Sequence, residues 1–358
     1  MKILILGAGG TGGYFGGRLH QGGADVTFLV REARAQHIAT HGLMLESPKD
    51  KVTLQVKTVL AGQVKPGYDV VILSCKAYDL ASSIAAITPA MGGRTCVLPL
   101  LNGISHIATL DAAFGQQRVM GGACQISATL TKDGVVKSMM DSHALVWGAR
   151  DPAHAGLAQE LGKPFANTVL DWRVSDTIML DMWEKLTFLS TLAGMTCLMR
   201  ASVGDILAAP GGTQAITGYL DACIAIATHE GYAPRSAAIE RYRAMLSAPG
   251  SALTASMLRD LENGGPVEAD HIVGFVLEKA PTHGVDDGML AVAYAHLKAY
   301  EVRRGRNQPG LANRTSGSTV VQPLVFDLEE IQMCPGQKAL MLEPPNYDAW
   351  RNLLLSCK

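Results

Sequence analysis

The run Gly7-Ala8-Gly9-Gly10-Thr11-Gly12 spaces its glycines as a diphosphate cradle does. Gly7 permits a tight turn, and Gly9 lets the backbone approach a pyrophosphate with no Cβ in the way. Gly12 lets the following helix pack close to the preceding strand, and the N–H groups opening that helix complement phosphate charge. In a chain with 38 glycines the pattern alone is weak. Its position decides, because the apolar run at 3–6 leads straight into it, and the stretch therefore predicts a nucleotide site rather than a structural turn. Arg31 bears on which nucleotide. It follows the second apolar run, at 24–30, where NAD-binding chains usually place a carboxylate for the ribose 2′-OH. A guanidinium there pairs with the 2′-phosphate of NADP. Glu32 could take the acidic role with a one-residue shift, so NADP(H) is favoured over NAD(H) on the strength of Arg31.

Lys76 and Asn102 each stand just beyond a buried apolar run, at 68–75 and 95–101. Ligands of open α/β sheets bind outside the carboxyl ends of the strands, so both residues are expected to meet cofactor or substrate. An Asn-Gly pair after a strand is also an ordinary turn; two polar residues at successive strand ends favour a shared site. Lys185 lies in Met182-Trp183-Glu184-Lys185-Leu186, inside a strongly apolar helical stretch where an ammonium is costly without a reason. Ser256, in Ala255-Ser256-Met257-Leu258-Arg259-Asp260, and Glu268, in Pro266-Val267-Glu268-Ala269-Asp270, are the next best-marked polar points. Taken singly, each reads as a surface residue. His37 and His41 have metal-compatible spacing but no third ligand nearby, so no metal is assigned.

The elements that must position these groups change character along the chain. Strand-like apolar runs alternate with helical stretches as far as about 172. Within that half, 52–59 alternates apolar and polar residues and reads as one strand with an exposed face. The short runs at 126–130, 135–136 and 144–148, around an Asp133-Gly134 turn, read as an antiparallel extension of the sheet. From 176 onward the pattern is helical, with helices expected at 178–198, 215–229, 237–246 and 271–280. The fold class is α/β, with an N-terminal Rossmann-type domain at 1–172 followed by a mostly α-helical substrate and catalytic domain at 173–306. A C-terminal extension, 307–358, is interrupted by Pro309-Gly310, Pro335-Gly336 and Pro344-Pro345, and its runs at 324–326 and 350–355 could dock on a surface or a neighbouring subunit.

Composition excludes several function classes. With 358 residues the chain can fill two cores, and 48% hydrophobic against 18% charged residues describes a globular protein. A formal net charge of -1 leaves no basic footprint for nucleic acid. The N-terminal apolar run is too short for a membrane span and does not read as a signal peptide. Seven scattered cysteines without a CxxC pair fit reduced thiols in a cytoplasmic protein better than a disulfide framework or a zinc site.

The constellation resembles the ketopantoate reductase (2-dehydropantoate 2-reductase) family. The matches run in order over about 1–304: the N-terminal glycine motif, Arg31, Lys76 in Cys75-Lys76-Ala77, and Asn102-Gly103. They continue through Trp183-x-Lys185, Ser256-Met257-Leu258-x-Asp260, Glu268 and Gly274-Phe275. The resemblance implies an NADP-dependent oxidoreductase acting on CH–OH, with its site in the cleft between a Rossmann domain and a helical domain. It implies that Lys185 donates the proton to the nascent alkoxide and that Asn102 sits near nicotinamide and substrate. By the same resemblance Lys76 and Ser127 line the cofactor, Ser256 bonds the substrate, and Glu268 orients Lys185 or touches the ligands. The partner implied is a small-molecule 2-oxo acid; a homodimer is left open.

Family members commonly carry asparagines one and two helical turns after the catalytic lysine and another further on, all contacting pantoate. This chain has Leu189, Ala193 and Val203 there. A site that loses hydrogen-bonding groups loses selectivity for hydroxyls, so a less hydroxylated 2-oxo acid is expected beside 2-dehydropantoate. The competing readings are another two-domain NAD(P)-dependent hydroxy-acid dehydrogenase and a catalytically silent NADP-binding sensor.

Overall fold

A computed structural model of the chain describes residues 1–139, 143–281 and 284–307. The expectations placed on the extension from 308 onward lie outside the described residues. Its first strand, β1 (Lys2–Leu6), runs into α1 (Gly10–Gln21), β2 (Asp25–Leu29) and α2 (Glu32–His41). Three short strands follow, β3 (Leu43–Glu46), β4 (Lys51–Leu54) and β5 (Lys57–Val59). The chain then returns through β6 (Val70–Leu73), α3 (Leu80–Ile87), β7 (Cys96–Pro99) and α4 (His106–Phe114). Strands β5-β2-β1-β6-β7 form a wholly parallel sheet, with Ile3 opposite both Val26 and Val70. Every residue of β6 and β7 is buried, as strands covered on both faces must be. This is the Rossmann-type half.

Beyond α4 come β8 (Gly121–Gln125), β9 (Ala128–Leu130), β10 (Val136–Ser138), β11 (Ala144–Gly148), α5 (Ala155–Phe165) and β12 (Asp171–Val174). Val119 bridges Val97 in parallel, and β11 lies antiparallel to β8 and parallel to β12. The runs at 126–130 and 135–136 do not join that extension. β9 and β10 pair with each other, and β10 pairs parallel to β3, giving a second small sheet of order β4-β3-β10-β9. The single strand expected at 52–59 is likewise two strands. β4 pairs antiparallel with β3 in the small sheet, whereas β5 pairs parallel with β2 in the main one.

The small sheet exists because α1 can be approached from two sides. A Cβ on Gly16 would lie 2.7 Å from Phe28 of the main sheet, and one on Gly17 would lie 2.8 Å from Leu45 of the small one. Arg18, 1% exposed, secures the second layer by donating to both Asp50 oxygens at 2.7 and 2.5 Å.

The helical half is built around α6 (Ile178–Met199), which is buried along most of its 22 residues. It is followed by α7 (Val203–Ala208), α8 (Gly212–His229), α9 (Ser236–Leu246) and α10 (Ser256–Glu262). The stretch expected as one helix at 271–280 is a π-helical turn, Asp270–Gly274, leading into the short α11 (Phe275–Glu278); α12 (Gly288–Asn307) closes the described chain. One hydrophobic cluster runs from Leu4, Leu73 and Ile107 of the sheet half to Trp183, Leu186 and Leu258 of the helical half.

Close packing makes two glycines separable by experiment. A Cβ on Gly12 would meet Ser74 Oγ at 2.2 Å and the Gly7 carbonyl oxygen at 2.5 Å, whereas one on Gly9 would meet nothing within 4 Å. Gly12→Ala is expected to cost about 1–3 kcal/mol in urea unfolding. Gly9→Ala should stay within about 0.5 kcal/mol of the parent. Equal midpoints for Gly12→Ala and the parent would remove the packing argument.

Candidate active site

The carboxyl ends of β1, β6 and β7 bring Gly7, Ser74–Lys76 and Asn102 to one edge of the sheet. Gly7 takes φ +87°, in the left-handed region that favours glycine, and its N–H donates to Leu29 O at 2.9 Å. Ser74 Oγ donates to Leu6 O at 2.8 Å and closes the floor of the turn. Space over Gly9 is open and α1 begins at Gly10, so its first-turn N–H groups lack intrahelical acceptors. Gly10, Thr11 and Ala8 complete the turn. Ala128 presses on it, its carbonyl oxygen 2.6 Å from where a Gly10 Cβ would be, which places neighbouring Ser127 beside the loop. This cradle fits a dinucleotide pyrophosphate.

Arg31 is exposed at the N-terminal cap of α2, at the carboxyl end of β2. The arginine that grips the loop is Arg34, which sequence reasoning passed over. Its Nε and Nη2 donate to Ala8 O at 3.2 and 2.9 Å, and its Nη1 donates to Gly134 O at 2.8 Å. The last of these contacts joins residues a hundred positions apart, and nothing local announces it.

Lys185 is half-buried on α6, and its Nζ donates to Asn102 Oδ1 at 3.3 Å. Its neighbours set the helix face. Trp183 stacks on Tyr232 with ring centroids 5.6 Å apart. Glu184, 4% exposed, accepts from the Arg235 N–H at 2.8 Å and from its guanidinium at 2.6 and 2.7 Å. Arg235 also pairs with Asp181 in the first turn of α6. With the two residues before it anchored, Lys185 is turned toward the β7 loop.

By resemblance Glu268 was expected to orient Lys185 or to touch the ligands. The structure gives it other partners: it accepts from Lys76 Nζ at 3.3 Å and from the Ala77 N–H at 3.1 Å. Lys76 Nζ also donates to Asp260 at 3.0 Å, so two carboxylates of the helical half meet the ammonium at the end of β6. Burial alone would lower the Lys76 pKa; Glu268 and Asp260 more than offset it and hold the value above that of an ordinary lysine. Ser256 opens α10, the helix that carries Asp260, and is half-buried.

The β7 loop is held from the helical half by the π-helical turn. Gly103, at φ +82°, lies so close to the His271 carbonyl that a Cβ would come within 2.3 Å of its oxygen. Ser105 Oγ and His271 Nδ1 are hydrogen-bonded at 2.7 Å. The next residue, His106, is 1% exposed, and neither ring nitrogen has a partner among the described residues. Burial, reinforced by the electrostatic influence of neighbouring basic side chains, pushes its imidazole down to about 3. Ser105, His106 and His271 were not singled out beforehand; their spacing from Asn102 and Glu268 carries no motif.

Of the apolar replacements, Leu189 is half-buried one turn after Lys185, whereas Ala193 and Val203 are fully buried. His37 and His41 stack ring on ring at 4.6 Å. Among the described residues no group of three or more His, Cys, Asp or Glu is arranged to hold a metal ion. No described helix is long and apolar enough to cross a membrane.

Comparison with known proteins adds the following. The family model described as ketopantoate reductase PanE/ApbA matches residues 3–152, and that of its C-terminal domain matches 177–301. The chain is 36% identical over 306 residues to the uncharacterized oxidoreductase YkpB of Bacillus subtilis (strain 168), covering 85% of this chain and all of that one. A solved 2-dehydropantoate 2-reductase from Geobacter metallireducens GS-15 superposes with a TM-score of 0.75 at 26% identity, over 84% of this chain and 99% of that one. A D-mandelate dehydrogenase, solved with NADH and anilino(oxo)acetate, shares the fold with a TM-score of 0.76 at 24% identity, over 85% of this chain and all of that one.

His106 gives the site a pH signature. Unfolded, the imidazole takes up a proton below its ordinary value of 6.5; folded, it does so only near 3. The unfolded state therefore binds more protons between those values, and stability falls as pH drops through that window, by up to roughly 1.4 kcal/mol per unit. Unfolding free energies at pH 7 and 5 are expected to fall by roughly 2 kcal/mol more in the parent than in His106→Gln. Parallel losses in the two proteins would contradict the burial of a neutral ring.

Proposed function

The chain belongs to the ketopantoate reductase family, and from that premise we propose that it is an NADPH-dependent oxidoreductase reducing a 2-oxo acid to the 2-hydroxy acid in the cytoplasm. On this reading residues 1–172 hold the cofactor and 173–306 supply the substrate-binding and proton-transfer groups. The contact that carries the reading is Lys185 Nζ on Asn102 Oδ1, a proton-bearing ammonium brought to the strand edge that also carries the glycine cradle.

When bound, the nicotinamide supplies a hydride to the carbonyl carbon. Negative charge then develops on the carbonyl oxygen, where the Lys185 ammonium stabilises it and neutralises it by giving up an Nζ proton. Asn102, by accepting one Lys185 N–H, fixes the directions left for the other two. Ser256 offers a hydroxyl to the substrate from the start of α10. Lys76 contributes positive charge near the cofactor, and Glu268 acts through it as a positioning residue. Arg31, exposed beside the cradle, is the group for the 2′-phosphate.

Leu189 supports a substrate less polar than 2-dehydropantoate, since it puts an apolar side chain one turn from the proton donor. That the fold also serves a D-mandelate dehydrogenase agrees with such a shift.

NADPH consumption by the purified protein tests the reading, with 2-dehydropantoate compared against trimethylpyruvate, the same skeleton without its hydroxyl. Trimethylpyruvate is expected to have the equal or higher kcat/KM; a tenfold preference for 2-dehydropantoate would return the specificity to the hydroxylated acid. Lys185→Ala should lower kcat by about 10²–10⁴, and a loss below tenfold would remove its role. Arg31→Ala is expected to raise the KM for NADPH far more than that for NADH. Equal increases would end the 2′-phosphate assignment.

A further inference from the structure

Arg34 bonds the backbone of the glycine turn, and the reaction gives it no task. It sits in the first turn of α2, where a positive charge opposes the helix dipole. Its side-chain bonds go to carbonyl oxygens and, among the described residues, to no carboxylate. Nε and Nη2 both donate to Ala8 O, at 3.2 and 2.9 Å, and Nη1 donates to Gly134 O at 2.8 Å. A guanidinium is a rigid planar fork that stays charged, so two anchors on different nitrogens stop its plane from turning. Gly134 is itself a fixed point. It takes φ +78°, and a Cβ on it would come within 2.1 Å of His37 Nε2.

What this grip fixes is a peptide plane. The Ala8 carbonyl and the Gly9 N–H belong to one trans peptide and point in opposite directions. Holding the oxygen against Arg34 therefore aims the Gly9 N–H away from the guanidinium. Groups on either side of it are spent: the Gly7 N–H donates to Leu29 O at 2.9 Å, and Gly9 O accepts from the Gly13 N–H at 2.8 Å. The Gly9 N–H has no partner among the described residues, and no atom lies within 4 Å of where a Gly9 Cβ would be. A cation on the carbonyl also polarises the peptide and strengthens its N–H as a donor. We propose that Arg34 is a positioning residue for the dinucleotide, acting through the Ala8–Gly9 peptide to aim and strengthen the Gly9 N–H that meets a pyrophosphate oxygen. NADPH and NADH share that pyrophosphate, so the role is distinct from that of Arg31, which concerns the 2′-phosphate alone.

The inference rests on the glycine turn holding a dinucleotide, and the test separates the two. Dissociation constants for NADPH and NADH, read from protein fluorescence, are measured on the folded full chain for the parent, Arg34→Met, Arg34→Lys and Arg31→Ala. Arg34→Met should raise both constants at least fivefold, and by the same factor within twofold. Arg34→Lys, which keeps the charge without the fork, should stay at least threefold weaker than the parent for both. Arg31→Ala should weaken NADPH alone. Constants within twofold of the parent in Arg34→Met would reduce the contact to a structural anchor and overturn the role. A loss confined to NADPH would overturn it in favour of a direct bond to the 2′-phosphate, and full recovery by Arg34→Lys would overturn the need for the fork. A parent that binds neither dinucleotide overturns the nucleotide site itself. Should Arg34→Met not fold, ¹H–¹⁵N spectra of the ¹⁵N-glycine-labelled chain decide, with the Gly9 resonance identified from Gly9→Ala. In Arg34→Lys the Gly9 amide proton should move upfield while that of Gly231, in the helical half, stays put. An unmoved Gly9 amide would overturn the coupling.

Discussion

An ammonium on a helix that is buried along most of its length constrains everything around it. α6 is apolar nearly all round, and a charge left unpaired in such surroundings costs several kcal/mol. Lys185 is tolerable only if the facing element offers it a polar group, and the β7 loop does so with Asn102. That loop is itself pressed into place by the backbone of the π-helical turn, through Gly103 and the Ser105–His271 bond. Rotation of α6 by even a fraction of a turn would bury the ammonium in the core; the Glu184–Arg235 pairing and the Trp183–Tyr232 stack prevent it. π-helical turns often mark functional sites, and this one holds the loop that bonds Lys185.

The glycine cradle and the second sheet share a different constraint. α1 must lie against the main sheet to aim its N-terminus at the cradle, and it must also accept the β4-β3-β10-β9 layer on its other side. A helix can be sandwiched this closely only where side chains are absent, which explains why glycines continue past Gly12 to Gly13, Gly16 and Gly17. The β9–β10 hairpin delivered by that layer brings Ser127 and Ala128 to the loop and gives Arg34 its second anchor at Gly134. The nucleotide edge is thus assembled from segments that are distant in sequence.

Much of this was legible beforehand because it rests on local pattern. The glycine turn after β1, the strand ends carrying Lys76 and Asn102, and the apolar helix with one lysine all follow from periodicity and from the cost of burying charge. Helix limits on α6, α8 and α9 came within a few residues for the same reason. What escaped was pairing. The stretch at 52–59 alternates correctly for a strand, but alternation does not say which partner each part will take, and β4 and β5 take different ones. Resemblance left Glu268 either orienting Lys185 or touching the ligands, and only the packed arrangement shows it bonded to Lys76 and to the backbone of Ala77. Arg34, Ser105 and His271 leave no mark in composition or spacing, since their partners are set by tertiary contact, and the burial of His106 is set the same way.

The Lys76 cluster illustrates how such contacts act. It joins the end of β6 to α10 and to Glu268, two residues before the π-helical turn, so it spans the two halves of the site. As a source of stability it contributes little, because Lys76 and Asp260 are 40% and 37% exposed and screened pairs of this kind are weak. Glu268 differs, being 4% exposed. Its burial is compensated by two donors, Nζ of Lys76 and the Ala77 N–H, and removing either would leave a desolvated charge. The pairing therefore fixes relative position more than it adds stability: Glu268 pins the backbone after β6, and Asp260, the more exposed carboxylate, completes the coordination of the ammonium from α10. Ser256 shares that helix, so the same contact that satisfies Lys76 also sets how far the Ser256 hydroxyl stands from the strand edge bearing Asn102.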